Sequence, residues 1–303
     1  MNLEQYAALA ITALHTVTDY RRWGASRFAA AGLDFSQGQQ QPRAEADTLI
    51  AWALHLEPEN LAELGAARLL DGEKSTILNY FYQREILRRP TAYITGEAWF
   101  AGLRFSVDER VLIPRSLLEP FIEEGFAPWV EASQVQRILE IGTGSGCMAI
   151  ILALRFPDTE VDAVDISAEA LAVARANVRR YGLEDRVHLH QSDLFAALDG
   201  QRYDLILSNP PYVDAAAMAE LPPEYRHEPR LALAAGDDGL DCLLPLLEQA
   251  PQHLQTGGVL VVETGDAEAA LIRRRPDLPL IWLEHPAGGS GAFLMMATAD
   301  DGF

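Results

Sequence analysis

Hydrophobic and polar positions follow a helical period over the first 89 residues. Apolar side chains recur at roughly helical spacing, for example Trp23, Phe28 and Leu33, and turn residues separate the apolar segments. The pattern predicts helices in MNLEQYAALAITALH, TDYRRWGASRFAAAGL, the second half of SQGQQQPRAEADTLIAWALHL, and EKSTILNYFYQREILRR, which ends before Pro90. We therefore expect a small helical domain over residues 1–89.

The next segment is rich in aromatic and β-branched residues. It reads TAYITGEAWFAGLRFSVDERVLIPR and is interrupted by Gly96 and Gly102. This composition predicts a β-hairpin or short strands. We interpret residues 90–116 as a β-hairpin linker between two domains.

After about Leu117, apolar strands alternate with amphipathic helices. The predicted strands are RILEI, EVDAVDIS, RVHLHQSD, YDLILS and GGVLVVE, with helices in CMAIILALRF, AEALAVARANVRRYG and DCLLPLLEQAPQHL. Repeated β-α-β units predict a parallel sheet with helices on both faces. The last two strands, LPLIWLEH and GAFLMMAT, are joined too tightly for a crossover helix, so we expect them to pair antiparallel. Residues 117–303 are thus predicted to form an α/β domain.

Charge and cysteine content narrow the class of partner. The chain has 303 residues, of which 49% are hydrophobic, with 44 acidic against 24 basic residues and a net charge of −20. This charge disfavours binding to DNA phosphates and favours a basic partner. Two distant cysteines, Cys147 and Cys242, argue against a zinc site or a disulfide framework. With no basic leader and no apolar run of about 20 residues, we expect a cytoplasmic protein without a membrane segment.

A glycine loop, LEIGTGSGC, joins the first predicted strand of the α/β domain to a helix. Gly142, Gly144 and Gly146 permit a sharp turn and let a ligand approach the backbone. Glu140 precedes the first glycine by two residues. Asp165 ends the next strand, where a carboxylate accepts hydrogen bonds from a ribose diol. The loop therefore predicts a nucleoside-containing ligand.

The even spacing of the glycines differs from the dinucleotide fingerprint, whose third glycine lets a helix meet a pyrophosphate. It fits a cofactor without phosphate, such as S-adenosyl-L-methionine. Asp193, in HQSDLF, closes the following strand where an adenine amine is expected. The predicted cofactor site comprises Glu140, Gly142, Thr143, Gly144, Gly146, Asp165, Ile166, Asp193, Leu194 and Asn209.

A second motif, Asn209-Pro210-Pro211-Tyr212, follows the fourth predicted strand of the α/β domain. It lies at the carboxyl edge of the sheet, where open α/β folds bind ligands. Asn209 Oδ1 and the Pro210 carbonyl are two acceptors held in fixed relation by the proline pair. Aimed at both N–H bonds of a planar nitrogen, they would direct its lone pair at a methyl group. Tyr212 can stack on a planar amide or base.

The two motifs together resemble the Rossmann-like methyltransferases of planar nitrogens, which include both amino-group DNA methylases and protein-glutamine methylases. The helical segment, AYITGEAWFAGLRFSVDERVLIPR and EIGTGSG…SNPPY resemble the HemK-type protein-glutamine N5-methyltransferases over nearly the whole chain. Release-factor enzymes of that family typically show IPRPETE after the hairpin. This chain reads VDERVLIPRSLLEP instead, and only Glu119 keeps the terminal acid.

Three segments are similar to the sister group that methylates a glutamine of ribosomal protein L-three: VDERVLIPRS, EYRHEPRLALAAGDDGLD and WLEHPAGGSGAF. The resemblance implies a seven-stranded class I methyltransferase fold, S-adenosyl-L-methionine as cofactor and a basic ribosomal protein as substrate. Three alternatives stay open: methylation of peptide release factors, adenine-N6 methylation of DNA, and a non-catalytic ribosome-assembly binder. Direct in-line transfer is expected, without a metal.

Other residues are candidates on position alone. Arg115, in the predicted linker, would steer the substrate backbone or pair with an acid such as Glu119. Trp99 and Phe100 would line the transfer pocket or simply pack. His227 lies on a segment expected to act as a substrate lid. The catalytic prediction is Asn209, Pro210 and Tyr212, with Pro211 and Arg115 added for substrate binding; Glu263, at the end of a late strand, is left open.

Overall fold

The computed structural model describes residues 1–38, 41–286 and 288–297. The chain forms two compact units. The helical unit contains Met1–Glu97 and the short segment Pro222–His227, and the sheet unit contains Ala98–Leu221 and the chain from Glu228 onward. The division at Glu97 falls inside the predicted linker, whereas nothing in the sequence pattern predicted that residues 222–227 belong with the helices.

The helical unit contains the predicted helices in shortened form. Its helices are α1 Leu3–Ala8, α2 Val17–Ala30, α3 Pro42–Leu54, α4 Asp71–Glu85 and α5 Thr91–Thr95. Thr16 begins α2 with a capping box to Asp19, which satisfies amides that a helix start leaves open. The start of the predicted strand region is instead α5, because Pro90 precedes it and a left-handed Gly96 ends it.

Aromatic packing forms the core of the helical unit. Tyr6, Tyr20, Phe28 and Phe81 are fully buried, together with leucine and isoleucine side chains of α3 and α4. Gly24 lies inside α2 because a side chain there would meet the ring of Phe81 at 2.5 Å. Each of these aromatic side chains buries a large apolar area, which stabilises so small a unit.

The segment Pro222–His227, which we call the strap, is held on the helical unit by polar contacts. Glu224 is fully buried and accepts from Arg84 Nη1 and from the Asp34 amide, both at 3.1 Å. The Tyr225 hydroxyl lies 2.9 Å from the Ser36 hydroxyl. His227 Nε2 donates to the Leu87 carbonyl at 2.9 Å. A strap pinned along its length is a fixed part of the helical unit.

The predicted hairpin stands at the start of the sheet unit, except for its first residue, Glu97, which belongs to the helical unit. Strands β1 Glu97–Phe100 and β2 Leu103–Ser106 pair as a two-stranded sheet. Their connection is Ala101 and Gly102, with φ values of 46° and 71°, as a two-residue hairpin turn of this type requires.

The large sheet has seven strands in the order β5-β4-β3-β6-β7-β9-β8. The strands are β3 Arg137–Ile141, β4 Glu160–Asp165, β5 Val187–Gln191, β6 Tyr203–Ser208, β7 Leu254–Glu263, β8 Ile281–Trp282 and β9 Ala292–Met296. The five strands β3 to β7 run parallel to one another. Strand β9 pairs antiparallel with both β7 and β8, which confirms the prediction for the last two strands.

Helices cover both faces of this sheet, as predicted. The helices of the sheet unit are α6 Glu119–Glu123, α7 Cys147–Arg155, α8 Ala168–Arg180, α9 Ala215–Glu220, α10 Leu243–His253 and α11 Glu268–Arg274, and all of them except α9 contribute buried side chains. Side chains of α7 pack with one face, which includes Ile138, and side chains of α10 and α11 pack with the other, which includes Leu139. Adjacent residues of β3 thus face opposite layers, as the period of a strand requires.

The strand order reverses between β3 and β6, and this reversal positions the candidate site. The two strands pair in parallel register, with Ile141 opposite Ser208. The glycine loop after β3 and the Asn-Pro-Pro-Tyr turn after β6 therefore leave the sheet side by side. A switch point of this kind is where open α/β sheets bind ligands.

Candidate active site

The glycine loop is tied to the end of β4 by its own backbone. The amides of Gly142 and Thr143 both donate to the Val164 carbonyl at 2.9 Å. The Gly144 amide donates to Asp165 Oδ2 at 2.9 Å. Gly142, Gly144 and Gly146 have φ values of 76°, 55° and 79°, a region that side chains rarely adopt. The three glycines are thus required by the backbone itself.

The space around the glycines differs along the loop. A Cβ on Gly146 would lie 3.2 Å from Ala174 Cβ, so this glycine permits α7 and α8 to approach. A Cβ on Gly142 would lie 3.9 Å from the Asn209 carbonyl oxygen, whereas one on Gly144 would meet nothing within 4 Å. The middle of the loop therefore has open space in front of it.

Glu140 is hydrogen-bonded to the glycine loop and to the first turn of α7. It is fully buried, and its Oε2 accepts from Thr143 Oγ1 at 2.6 Å and from the Ala149 amide at 2.9 Å. Its Oε1 is buried and has no hydrogen-bond partner among the described residues. Burial raises the pKa of this carboxyl to about 8. Glu140 therefore holds the loop, and its predicted contact with the cofactor stays a prediction.

The other predicted cofactor residues meet at the same edge of the sheet. Asp165 ends β4 and accepts from the Ser167 amide through Oδ1 at 2.9 Å; desolvation raises its pKa. Ile166 is exposed, and so is Asp193, which follows the end of β5 by two residues. Leu194 is half-buried and has a φ of 47°.

The donor and acceptor set at this edge fits S-adenosyl-L-methionine. Asp165 and Asp193 are carboxylates, which accept hydrogen bonds from hydroxyls or an amine and repel phosphate. Beside them, Gly142 is exposed and Gly144 is half-buried, so the loop backbone there admits a ligand to close approach. A cationic, phosphate-free nucleoside suits these groups better than a dinucleotide does.

Asn209 follows β6 directly, and its amide has a defined orientation. Its Nδ2 donates to the Arg115 carbonyl at 3.3 Å, whereas Oδ1 has no partner among the described residues. Pro210 is buried and Pro211 is half-buried. Because prolines lack an N–H group, the turn presents acceptors and no competing backbone donor at these two positions.

Tyr212 closes the turn against the end of β7. Its hydroxyl donates to Glu263 Oε1 at 3.1 Å, and a Cβ on Gly265 would lie only 2.4 Å from its ring. Glu263 is buried, and its Oε2 accepts from Ser116 Oγ at 2.6 Å and from the Leu117 amide at 2.9 Å. Burial raises the pKa values of both Tyr212 and Glu263. Glu263, left open by the sequence, thus links two segments at the site.

Arg115 forms a bidentate ion pair with Glu228. Its Nη1 and Nη2 lie 2.6 Å from Oε1 and Oε2 of that carboxylate, whose side chain is fully buried. The Ile113 amide donates to the same Oε1 at 3.2 Å. Glu119, weighed as a partner from sequence, accepts from the Ala101 amide at 2.9 Å. Sequence reasoning did not identify Glu228, because the pair spans 113 residues and has no local signal.

The remaining candidate residues, Trp99, Phe100 and His227, contact other side chains or backbone groups of the protein. Phe100 is buried in the core of the sheet unit, and Trp99 is exposed with the Arg104 guanidinium 4.7 Å above its ring. His227 belongs to the strap. All three side chains thus contact other parts of the protein, and their roles at a transfer pocket or a substrate lid stay predictions.

A cavity of about 230 Å³ opens beside Tyr212 in the sheet unit. Its lining includes Asp214, Asp237, Asp238 and Asp266, with Arg273 as the basic member. The cavity is therefore strongly acidic next to the Asn-Pro-Pro-Tyr turn.

Candidate metal centres and membrane-spanning helices are both absent from the described residues. Among them, no group of three or more histidine, cysteine, aspartate or glutamate side chains is arranged to hold a metal ion. In the described part of the chain, no helix is both long and apolar enough to cross a membrane.

Known proteins that are among the most similar in sequence to this chain share one name. The family model for the methyltransferase small domain matches residues 125–221. The ribosomal protein uL3 glutamine methyltransferase of Francisella tularensis subsp. tularensis is 43% identical, covering 94% of this chain and 91% of its own. The protein of the same name from Bordetella pertussis is 47% identical, over 89% of this chain and 91% of its own. The chain belongs to the uL3 glutamine methyltransferase family.

Membership of this family confirms the predicted resemblance and identifies the protein as a methyltransferase. Among solved structures, the hMettl16 catalytic domain in complex with MAT2A 3'UTR hairpin 6 superposes with a TM-score of 0.51 at 18% identity. It covers 78% of this chain and 87% of its own. This likeness shows the fold alone, and together with the strand order it confirms the predicted class I methyltransferase fold.

Proposed function

We propose that this protein transfers a methyl group from S-adenosyl-L-methionine to the side-chain amide nitrogen, N5, of a glutamine in ribosomal protein uL3 (ribosomal protein L-three). The observation that carries the proposal is the orientation of Asn209. Its Nδ2 is engaged by the Arg115 carbonyl, which leaves Oδ1 available as an acceptor beside the glycine loop.

A glutamine amide suits this acceptor geometry. The amide nitrogen is a poor nucleophile because its lone pair is delocalised, and it carries two N–H bonds. Asn209 Oδ1 and the Pro210 carbonyl each accept one of them, which fixes the plane of the amide and increases the electron density on nitrogen. Tyr212 stacks on that plane, and Pro211 and Arg115 line the approach of the substrate chain.

The cofactor supplies an electrophilic methyl group on a sulfonium. Gly142, Gly144 and Gly146 provide the backbone against which it lies. Asp165 would accept from the ribose hydroxyls, and Asp193 would accept from the adenine amine. Thr143, Ile166, Leu194 and Asn209 complete the proposed cofactor site. Transfer would form the N–C bond and break the C–S bond of the sulfonium, and the nitrogen would then be acidic enough to lose its proton to water, so no tuned base is required.

Charge supports a basic protein as the partner. The net charge of −20 and the acidic cavity beside Tyr212 favour encounter with a basic ribosomal protein over nucleic acid. The relatives are named for the ribosomal protein uL3. A ribosomal protein as the substrate supports a cytoplasmic location for the reaction.

The deciding experiment is a methyl-transfer assay with labelled S-adenosyl-L-methionine. Protein uL3, a peptide release factor and adenine-containing DNA are offered separately, and products are examined by mass spectrometry. We expect one added methyl on a glutamine of uL3 alone. Label on the release factor would keep the chemistry and reject the substrate, whereas label on DNA would reject both.

We further propose that the helical unit recognises the protein substrate. Hydrogen–deuterium exchange of the full chain, with and without uL3, tests this directly. Protection within residues 1–97 is expected, with the strap included. Protection confined to the sheet unit would assign recognition to that unit instead.

A further inference from the structure

We propose that Glu228 is a positioning residue for the target amide, acting on Asn209 through Arg115. The inference rests on the proposed function and names a residue that makes no direct contact with Asn209 itself. Glu228, Arg115 and Asn209 all belong to the sheet unit.

The carboxylate of Glu228 fixes a short stretch of backbone from two sides. It accepts from the Ile113 amide at 3.2 Å and from both terminal nitrogens of Arg115 at 2.6 Å. Arg115 Nη1 also donates to the Ile113 carbonyl at 3.2 Å. The backbone between residues 113 and 115 is therefore closed around one buried carboxylate, and the direction of the Arg115 carbonyl is set with it.

That carbonyl is the group that orients Asn209. It accepts from Asn209 Nδ2 at 3.3 Å, and this bond distinguishes the amide nitrogen from Oδ1. If the carbonyl turned away, the Asn209 side chain could rotate about its last bond and present Nδ2 to the substrate. A donor there would repel the N–H groups of the target amide, because both sides would offer hydrogens.

A second buried carboxylate holds the next two residues in the same way. Glu263 accepts from Ser116 and Leu117 and from the hydroxyl of Tyr212. The stretch 113–117 is thus anchored by Glu228 at one end and Glu263 at the other, and it contacts the first residue of the Asn-Pro-Pro-Tyr turn. The Arg115 carbonyl of this segment thus holds Asn209 at one end of the turn, and Glu263, which anchors the segment, holds Tyr212 at the other.

Stability alone does not account for this ion pair. Burying a carboxylate is unfavourable, and a buried pair often contributes little beyond its apolar replacement. The Glu228 side chain is fully buried, whereas Arg115 remains 29% exposed. A bidentate pair does, however, fix geometry in a way that a single contact does not. Geometric control of Asn209 is the role that this arrangement serves.

The test compares Glu228→Gln with the matched control Asp162→Asn. Asp162 is also a buried carboxylate of the sheet unit that pairs with an arginine, Arg137, at 2.7 Å, and it lies on β4 outside the proposed machinery. We expect Glu228→Gln to lower kcat on uL3 by about tenfold to a hundredfold with little change in cofactor affinity. Asp162→Asn is expected to lower the melting temperature alone.

A second readout does not depend on the substrate. The side-chain amide signal of Asn209 in a nitrogen–proton correlation spectrum is assigned by its loss in Asn209→Asp. Glu228→Gln and Arg115→Lys should both displace this signal, since each breaks the bidentate pair, whereas Asp162→Asn should leave it in place. The double variant of Glu228 and Arg115 should lower kcat no further than the more severe single variant.

An unmoved Asn209 signal in Glu228→Gln overturns the proposal, as does a fall in kcat no larger than that of the control. The two proposals fail in different ways. Absence of uL3 methylation by the wild-type protein rejects the proposed function, and the position of the Asn209 signal still decides the role of Glu228.

Discussion

The hydroxyl of Tyr212 donates a 3.1 Å hydrogen bond to the buried carboxylate of Glu263. The bond joins the end of the Asn-Pro-Pro-Tyr turn to the end of β7. Because Glu263 also holds Ser116 and Leu117, one carboxylate fixes two segments that approach the proposed substrate amide.

Removing this hydroxyl tests its contribution to the site. Tyr212→Phe keeps the ring and leaves Glu263 with two of these three donors, so we expect a loss of about 1–2 kcal/mol in the free energy of unfolding. We also expect a moderate fall in kcat. Tyr203→Phe is the matched control, because that buried hydroxyl donates to Asp162 at 3.0 Å on the sheet interior. Denaturant unfolding and kcat are measured for both variants. Equal kcat values would show that the Tyr212 hydroxyl does not contribute to catalysis.

Asn209→Ala separates catalysis from binding. It deletes the proposed acceptor for the target amide, so kcat should fall by at least about a hundredfold, the size typical of a lost preorganised polar contact in an active site. Cofactor affinity, measured by calorimetry, should change far less. An equal loss of cofactor affinity would place Asn209 mainly in the cofactor site. Unchanged methylation would support a different acceptor group.

Alanine substitutions at the loop glycines should differ in their effects on cofactor affinity and on stability. Gly144→Ala adds a methyl where nothing lies within 4 Å, so it should weaken cofactor binding more than stability. Gly146→Ala meets Ala174 at 3.2 Å and should cost stability, by about 1–3 kcal/mol. Gly182→Ala, with φ at 65° and open space after α8, controls for backbone strain alone. Cofactor calorimetry and denaturant unfolding give the two values for each variant. The reverse ranking of Gly144 and Gly146 would contradict the proposed cofactor position.

The raised pKa of Glu140 should make the stability of the protein depend on pH. Its pKa is raised to about 8 in the folded protein, so the native state holds a proton that the unfolded chain has released. The contribution of this group to the free energy of unfolding therefore falls as pH rises from about 4.5 towards about 8, by up to about 1.4 kcal/mol per unit of pH. Glu140→Gln should flatten that part of the curve in denaturant unfolding at several pH values. A curve unchanged by the substitution would show that Glu140 does not carry the proton.

Arg84 should be critical for the helical unit. It is buried and pairs with Glu45 at 2.6 Å and with Glu224 of the strap at 3.1 Å. Arg84→Met leaves two buried carboxylates without their main partner, and we expect a loss of about 3–5 kcal/mol in unfolding free energy. Arg21→Met, which breaks the less buried pair with Asp47, should cost about 1 kcal/mol or less. Equal losses would show that burial does not set the cost.

Contiguous segments of sequence determined the fold class and most of the candidate site. The glycine loop and Asn-Pro-Pro-Tyr each lie within a few residues, and alternating strand and helix periods required a parallel sheet that brings strand ends to one edge. The short connection between the last two strands was enough to predict their antiparallel pairing. Local periodicity could not reveal that residues 91–95 form a helix, because the segment is short and its boundary residues, Pro90 and Gly96, decide the conformation.

Only the tertiary structure decided the partners of the buried charges. Arg115 meets Glu228 across 113 residues, and Arg84 meets Glu224 across 140 residues. Neither pairing has a local pattern, because it depends on how the chain returns after β6. The structure likewise showed that the Glu140 side chain is fully buried and accepts from Thr143 and from the Ala149 amide. Sequence spacing sets which residues share a strand or a turn, whereas burial and long-range pairing follow from the packing of the complete chain.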